Sequence, residues 1–330
     1  MLRYPIFAAL FAHATAIIAA PLPPLPTPPV DLKSAGFEAT PGWFFLSAEL
    51  NHLRSDASPA TLSGEKNPIP AILAFHQALA AKGIRLYILP VPEKSLIRAD
   101  QLFPADHTTA AAGYAQVTDR FIDALKASGV SVIESRDLLS KAAANATPKA
   151  DPVYCRTDSH FTPATGAILA TTIAAQLRKD LPELTGPANS YAPIAGPATT
   201  ITIQGDLAPA GTSESLTFIP VLPLAGSPPP ATTDSTKPVL LLGDSHCLIF
   251  HSGGDMLAKN GGLPDHLGAA LGFMPDVMAV RGSGATSARI NLYRKARKDP
   301  SYLAGKKAVV WCFAAREFTQ ADAWKTVPLP

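Results

Sequence analysis

The run Val239-Leu240-Leu241-Leu242, which stops at Gly243-Asp244-Ser245, constrains this chain more than any other stretch. An unbroken apolar run bounded by turn residues reads as a buried strand. A buried strand that ends on a small turn offers its next side chain at the sheet's carboxyl edge. That edge is where open α/β sheets place their sites.

The flanking sequence alternates helix and strand patterns. Ile69, Ile72, Leu73, Phe75 and Leu79 mark one face of a helix, with Gly83 where a C′ residue belongs. A strand is predicted at Ile84 to Val91. Tyr114, Val117, Phe121, Ile122 and Leu125 predict a helix that stops near Gly129, and Val130 to Ile133 a second strand. Thr162-Pro163 reads as the N-cap and first residue of a helix reaching about Asp180. Beyond the Leu240 strand come a helix starting at Cys247 to Phe250, a strand at Val277 to Val280, a helix from Ala285 to Lys298 and a strand from Ala308 to Phe313. This alternation predicts an α/β fold, a mainly parallel sheet with helices on both faces. Pro187 to Pro220 breaks the pattern, and its Thr199 to Ile203 stretch predicts a small β excursion.

The chain has 330 residues, 47% of them hydrophobic, enough for a sizeable core. A formal net charge of +2 without a long charge run leaves no footprint for nucleic acid. Arg3, the mostly apolar stretch from Ile6 to Ile18 and the small residues that follow read as an export signal over residues 1–20. That predicts a periplasmic protein, anchored if the signal stays uncleaved. No Cys follows the signal, which argues against a lipid anchor, and no later segment is long and apolar enough to span a bilayer. Residues 21–35 are a Pro-rich linker, with six prolines between Pro21 and Pro29. Residues 36–330 form the folded domain. Pro223 to Pro238 reads as a loop into the Val239 strand.

Acyl transfer through a serine ester needs a hydroxyl, a base to take its proton and an acid to orient the base. Ser245 is the candidate nucleophile. Asp158 and His160, in Thr157-Asp158-Ser159-His160, are the candidate orienter and base. In an extended stretch residues i and i+2 point the same way, so Asp158 can hold Nδ1–H of His160 and leave Nε2 for Ser245. His246 is adjacent to Ser245, and adjacent side chains on a sharp turn diverge. Asp244 is expected to bond turn backbone rather than a histidine. His13, His52, His76, His107, His251 and His266 have no matching partner pattern. Gly282 and Gly284, in the turn after the Val277 strand, are candidates to aim a backbone N–H at an oxyanion. Cys155 and Cys247 lie near the candidate triad in sequence. They are either small buried thiols or, if the triad assembles, a pair that could oxidise. No cofactor or metal site is predicted.

On these stretches the chain resembles the AlgJ/AlgX-type alginate O-acetyltransferase family, whose domain is SGNH-hydrolase-like. The resembling blocks are Gly42-Trp43-Phe44-Phe45 with Glu49-Leu50, Leu89-Pro90-Val91-Pro92-Glu93-Lys94, Thr157 to Thr162 with Phe161 in place of the usual Trp, Gly243-Asp244-Ser245, and Trp311 to Phe318 with Arg316-Glu317-Phe318. The resemblance implies a flavodoxin-like sheet in a circularly rearranged order, because Asp158 and His160 precede Ser245. It implies an exported polysaccharide O-acetyltransferase, a glycan acceptor and a membrane-bound MBOAT-type acyl donor. Departures are the lack of a clear oxyanion Asn and of a following carbohydrate-binding module, a layout nearer AlgJ than AlgX. Arg316 with Glu317 could steer a polyanionic glycan or brace the site, or form a surface ion pair. Lys94 could meet a substrate carboxylate or stay a solvated lysine. A carbohydrate esterase with the same acyl-enzyme and a non-catalytic glycan-binding module are the alternative functions.

Overall fold

The parallel sheet of this computed structural model has strands β1 (Arg85–Val91), β2 (Ser131–Val132), β3 (Val239–Gly243), β4 (Asp276–Ala279) and β5 (Ala308–Ala314). The structure describes residues 21–27, 36–146, 153–184, 191–223, 236–282 and 284–330. The export signal, the second half of the linker and most of the loop before β3 lie outside the described residues.

The spatial order is β4-β3-β5-β1-β2, and every neighbouring pair is parallel. Numbered from β3 onward and round through the N-terminal strands, the same order reads 2-1-3-4-5, a doubly wound sheet. The circular rearrangement is therefore a property of the sheet as well as of the motifs. The winding reverses between β3 and β5, and this switch point is where such sheets bind ligands.

Both faces of the sheet are covered. Helices α1 (Pro68–Ala80), α2 (Gln116–Ala127), α3 (Arg136–Asn145), α4 (Pro163–Asp180), α5 (Leu263–Leu271) and α6 (Gly284–Lys298) alternate with the strands. Tyr87, Leu89, Leu241 and Val310 point to one face and pack on Leu169, Ile173 and Leu177 of α4 and Leu267 of α5. Leu86, Ile88, Leu240 and Trp311 point to the other and pack on Phe75 of α1, Phe121 of α2 and Leu292 of α6. This is why the β3 run has no polar alternation: each Leu has a helix to cover it. Each fully buried Leu of this kind contributes about 1.5–3 kcal/mol relative to exposure. Trp311 meets Phe75 edge to face at 5.4 Å.

Local signals set the ends. Asn67 caps α1 by accepting the Ile69 N–H at 3.0 Å, with Pro68 in the first turn. After α1 the chain reverses through Gly83 at φ +70° into β1. The helix expected from Tyr114 is two, because His107–Tyr114 ends at Ala115 before α2 begins. The helix expected at Cys247 to Phe250 is a single 3₁₀ turn, Ser245–Cys247. Phe250, Gly253 and Gly254 have positive φ and turn the chain into a hairpin, Ser252–Gly253 with Met256–Lys259. The β excursion is present as an antiparallel hairpin, Thr199–Ile203 with Glu214–Phe218. The described part of the Pro-rich stretch lies against the domain: Tyr114 donates its hydroxyl to the Pro23 carbonyl at 2.6 Å, and Leu25 packs on the N-terminal apolar cluster.

Candidate active site

Ser245 stands at the first residue after the β3 turn and is half-exposed, while Asp244 and His246 on either side are buried. Gly243 makes this geometry possible. A Cβ there would lie 2.2 Å from the Cys312 carbonyl oxygen of β5 and 2.7 Å from Cys247 Sγ. Asp244 ties the turn down: its N–H donates to the Cys312 carbonyl at 3.3 Å, and its Oδ2 accepts the Ala314 N–H at 3.0 Å. The Ser245 turn is thus anchored on β5, across the switch point.

Asp158 and His160 sit in a loop closed by the Tyr154–Phe161 bridge, with the Cys155 N–H donating to the His160 carbonyl at 3.1 Å. The stretch between is a bend rather than an extended strand. Asp158 meets His160 by a different route from the one expected. Its Oδ1 accepts the His160 backbone N–H at 2.9 Å and also the ring Nδ1 at 2.7 Å. His160 Nε2 lies 2.7 Å from Ser245 Oγ. An ionised carboxylate only accepts, so Nδ1 carries the proton and Nε2 of the neutral ring accepts from the serine hydroxyl. The sequence-derived Ser245, His160 and Asp158 are brought together in hydrogen-bonded series.

The electrostatics suit that series. Burial alone would raise the Asp158 carboxyl, but the hydrogen bond and charge of His160 outweigh it and hold it below its usual value. Burial opposes a charged His160; the Asp158 hydrogen bond and charge, with Asp206 and Asp244 behind it, outweigh burial and raise the imidazole. Asp158, His160 and Asp206 bring three ligand-type atoms within 4.8 Å of one another. Both His160 nitrogens are engaged here, one on Asp158 and one on Ser245, an arrangement that can pass a proton between the hydroxyl and the ring.

Three sequence expectations about neighbours need correction. Asp244 does bond a histidine: its Oδ1 accepts the His246 N–H and Nδ1, each at 2.9 Å, repeating the Asp158–His160 geometry in a second Asp-Ser-His segment. The His246 ring faces that of His160, with centroids 4.9 Å apart; burial, with the positive charges of His160 and Arg316, outweighs the raising charge and hydrogen bond of Asp244 and leaves the imidazole lowered. Lys94 is neither solvated nor open to substrate. It is 1% exposed and donates to the carbonyls of Phe44 at 2.5 Å, Asp158 at 2.9 Å and Arg156 at 3.1 Å. Burial lowers its ammonium to about 8. Arg316 and Glu317, both half-buried after β5, form no ion pair among the described residues. The Glu317 carboxylate turns to α6 and accepts the Ala285 N–H at 3.3 Å.

Gly282 and Gly284 stand after β4 at the same edge, with φ of +64° and +59°. A side chain at 284 would meet Glu317 Oε2 at 2.2 Å, so packing accounts for that glycine; around Gly282 there is open space. Neither glycine makes a hydrogen bond to the triad among the described residues. The three thiols are buried and unlinked. Cys247 and Cys312 interact, and the Cys247 hydrogen bond, with burial, raises the Cys312 thiol.

Other supports come from sequence-distant partners. His52 binds Glu93 at 2.9 Å and the hydroxyls of Thr118 and Thr319 at 2.8 and 2.7 Å. Glu214 accepts the Thr157 N–H at 2.7 Å and hydroxyl at 2.8 Å. The Asp206 N–H donates to Asp158 Oδ2 at 3.1 Å. Glu214 and Asp206 belong to the β insertion. Only its approach to the triad loop, which no local pattern encodes, makes them part of the site.

A doubly wound α/β domain with a Ser–His–Asp series at its switch point is the class that this fold and geometry define. The family model described as SGNH hydrolase-like domain, acetyltransferase AlgX, matches residues 37–288, and the chain belongs to that family. Among solved structures it is similar to the O-acetyltransferase domain of Pseudomonas putida AlgJ, at 20% identity over 87% of this chain and 93% of that one, with a TM-score of 0.64. Pseudomonas aeruginosa AlgX matches at 17% identity over 88% of this chain and 65% of that one, with a TM-score of 0.56. Bacillus cereus PatB1 matches at 13% identity over 88% and 100%, with a TM-score of 0.50. No curated protein sequence matches. Among the described residues no helix is long and apolar enough to cross a membrane.

Proposed function

We propose that the chain is an exported O-acetyltransferase that carries an acetyl group on Ser245 and passes it to a polysaccharide hydroxyl. One observation carries this reading: the half-exposed Ser245 hydroxyl in hydrogen-bonded series with His160 and Asp158, at the switch point of an SGNH-hydrolase-like sheet. The family description and the name of the AlgJ neighbour support acetyl transfer over other acyl chemistry.

In the first half-reaction His160 Nε2 takes the Ser245 proton as Oγ attacks the acetyl carbonyl of the donor ester. The tetrahedral oxyanion collapses, the donor oxygen leaves with the proton from Nε2, and acetyl-Ser245 remains. In the second, Nε2 takes the proton of a sugar hydroxyl whose oxygen attacks the acetyl carbonyl. The proton returns to Ser245 and the sugar leaves acetylated. Asp158 keeps the ring in the Nδ1–H tautomer and offsets the imidazolium charge in both halves. The Ser245 N–H, first in its 3₁₀ turn, makes no hydrogen bond to a described residue and is one oxyanion donor in this reading. The turn at Gly282 and Gly284 is the second candidate, and Arg316 supports the site from β5. The donor is a membrane-bound partner of the MBOAT type, by family resemblance.

The test supplies an activated acetyl ester with and without a panel of oligosaccharides. Acetylated sugar is the expected product. Acetate release indifferent to every sugar makes the protein an esterase, and no turnover of the ester at all makes it a binding module.

A further inference from the structure

The β insertion grips the segment that carries the base and its orienter. Gly205 lets it approach: a Cβ there would lie 2.1 Å from the Thr157 carbonyl oxygen and 2.5 Å from the Asp158 nitrogen. The Leu207 N–H donates to that same carbonyl at 3.1 Å. Glu214, 3% exposed, takes the Thr157 N–H and hydroxyl. Asp206 closes the grip. Its Oδ1 accepts the Ser159 N–H and its Oδ2 the Ser159 hydroxyl, each at 2.7 Å, while its own N–H meets Asp158 Oδ2. The two Asp158 oxygens thus divide: Oδ1 serves His160 and Oδ2 is held by the insertion.

We propose that Asp206 is a positioning residue of the acyl-transfer site: it fixes the Asp158–His160 turn and gives the imidazolium a second negative partner while His160 holds the serine proton. The proposal rests on His160 being the base for Ser245. Asp206 itself never takes the proton, which passes from Ser245 Oγ to Nε2 and on to the leaving oxygen.

The charged groups facing His160 are few. Asp158 lies on its own loop, Asp206 on the insertion and Asp244 with His246 on the nucleophile turn. Lys94 donates to the Asp158 carbonyl, and Arg316, just after β5, acts electrostatically on His246. Of the three carboxylates, Asp158 and Asp244 are buried and Asp206 is exposed. Its charge therefore couples to His160 through a path that salt can screen, unlike that of Asp158.

Asp206→Asn separates position from charge, because the amide still offers an acceptor to the Ser159 N–H and a donor to its hydroxyl. His160 is followed by NMR titration in the full chain, and acylation of Ser245 by an activated acetyl ester is followed against pH. In Asp206→Asn the His160 midpoint and the half-maximal pH of acylation move down together. The plateau rate falls about fivefold, about 1 kcal/mol of barrier. Asp206→Ala, which also frees Ser159, loses more. In the wild type, added salt lowers the His160 midpoint toward that of Asp206→Asn, a readout that needs no variant. An unchanged midpoint in folded Asp206→Asn, or a wild-type midpoint indifferent to salt, overturns the proposal. Failure of Ser245 to acylate in the wild type would instead remove the functional reading, and the titration would still decide the role of Asp206.

Discussion

His160 Nε2 lies 2.7 Å from Ser245 Oγ, although 85 positions separate the two residues along the chain. Two anchors make the meeting possible. Asp244 fastens the serine turn to β5, and the insertion with Lys94 fastens the histidine loop from behind. If the contact is the proton path, removing either end stops acylation. His160→Ala is expected to slow acylation of Ser245 about ten-thousand-fold, and Asp158→Asn by a comparable factor, because the ring then rests in the wrong tautomer. Stopped-flow release of the leaving group from an activated ester measures both. Losses under tenfold would detach these residues from the chemistry.

The pH dependence has opposite signs for rate and stability. His160 must be neutral to act as base, so acylation rises with pH through a midpoint above the unperturbed 6.5. The folded value is raised, so the histidine's contribution to stability is complete below about 6.5 and is lost as pH rises through the folded value. The Asp158 carboxyl is held below 3.8, so its contribution is present above that pH and is lost as pH falls through the folded value. Denaturation of wild type and His160→Gln across pH should converge on the alkaline side of the His160 midpoint. A gap that widens there contradicts the assignment.

Lys94 carries the loop's structural load. Lys94→Met leaves the carbonyls of Phe44, Arg156 and Asp158 without their donor, and a loss of about 3 kcal/mol or more is expected in urea denaturation. The ammonium titrates near 8 folded against 10.5 unfolded. Between those values the unfolded chain binds more protons, so wild-type stability gains from this group as pH rises. That gain should vanish in Lys94→Met, and its persistence would place it elsewhere.

Gly205→Ala tests the insertion without touching a polar group. The added methyl collides with the Thr157 carbonyl and the Asp158 nitrogen, both backbone atoms that cannot swing aside. A destabilisation of about 1–3 kcal/mol is expected, with an acylation rate lower by about tenfold or more as the histidine loop shifts. Thermal melting and the ester assay report the two effects. Unchanged melting and rate would mean that the insertion is not a grip.

Much of the fold and of the candidate site could be read from the sequence because the governing signals are local. Unbroken apolar runs such as Val239 to Leu242 mark strands covered on both faces, and Thr162-Pro163 marks a helix start. Asp158, His160 and Ser245 could be named because acyl transfer needs those three chemistries and two short segments supplied them. What failed depended on tertiary approach. Lys94 reads as solvated until Phe44, Arg156 and Asp158 turn their carbonyls toward it. Asp206 and Glu214 look like loop and strand polar residues until the insertion folds onto Thr157. The helix expected after Ser245 is cut to one turn by positive-φ residues at Phe250, Gly253 and Gly254, and only the two glycines could have warned of it.

The most direct test of the central claim is to locate the acyl group. The purified chain is incubated with an activated acetyl ester, quenched in acid and digested, and the acetylated peptide is sequenced by mass spectrometry. One acetyl group is expected on Ser245, absent in Ser245→Ala and strongly reduced in His160→Ala. Acetyl on other side chains alone, or equal labelling of the peptide in His160→Ala and wild type, would contradict it.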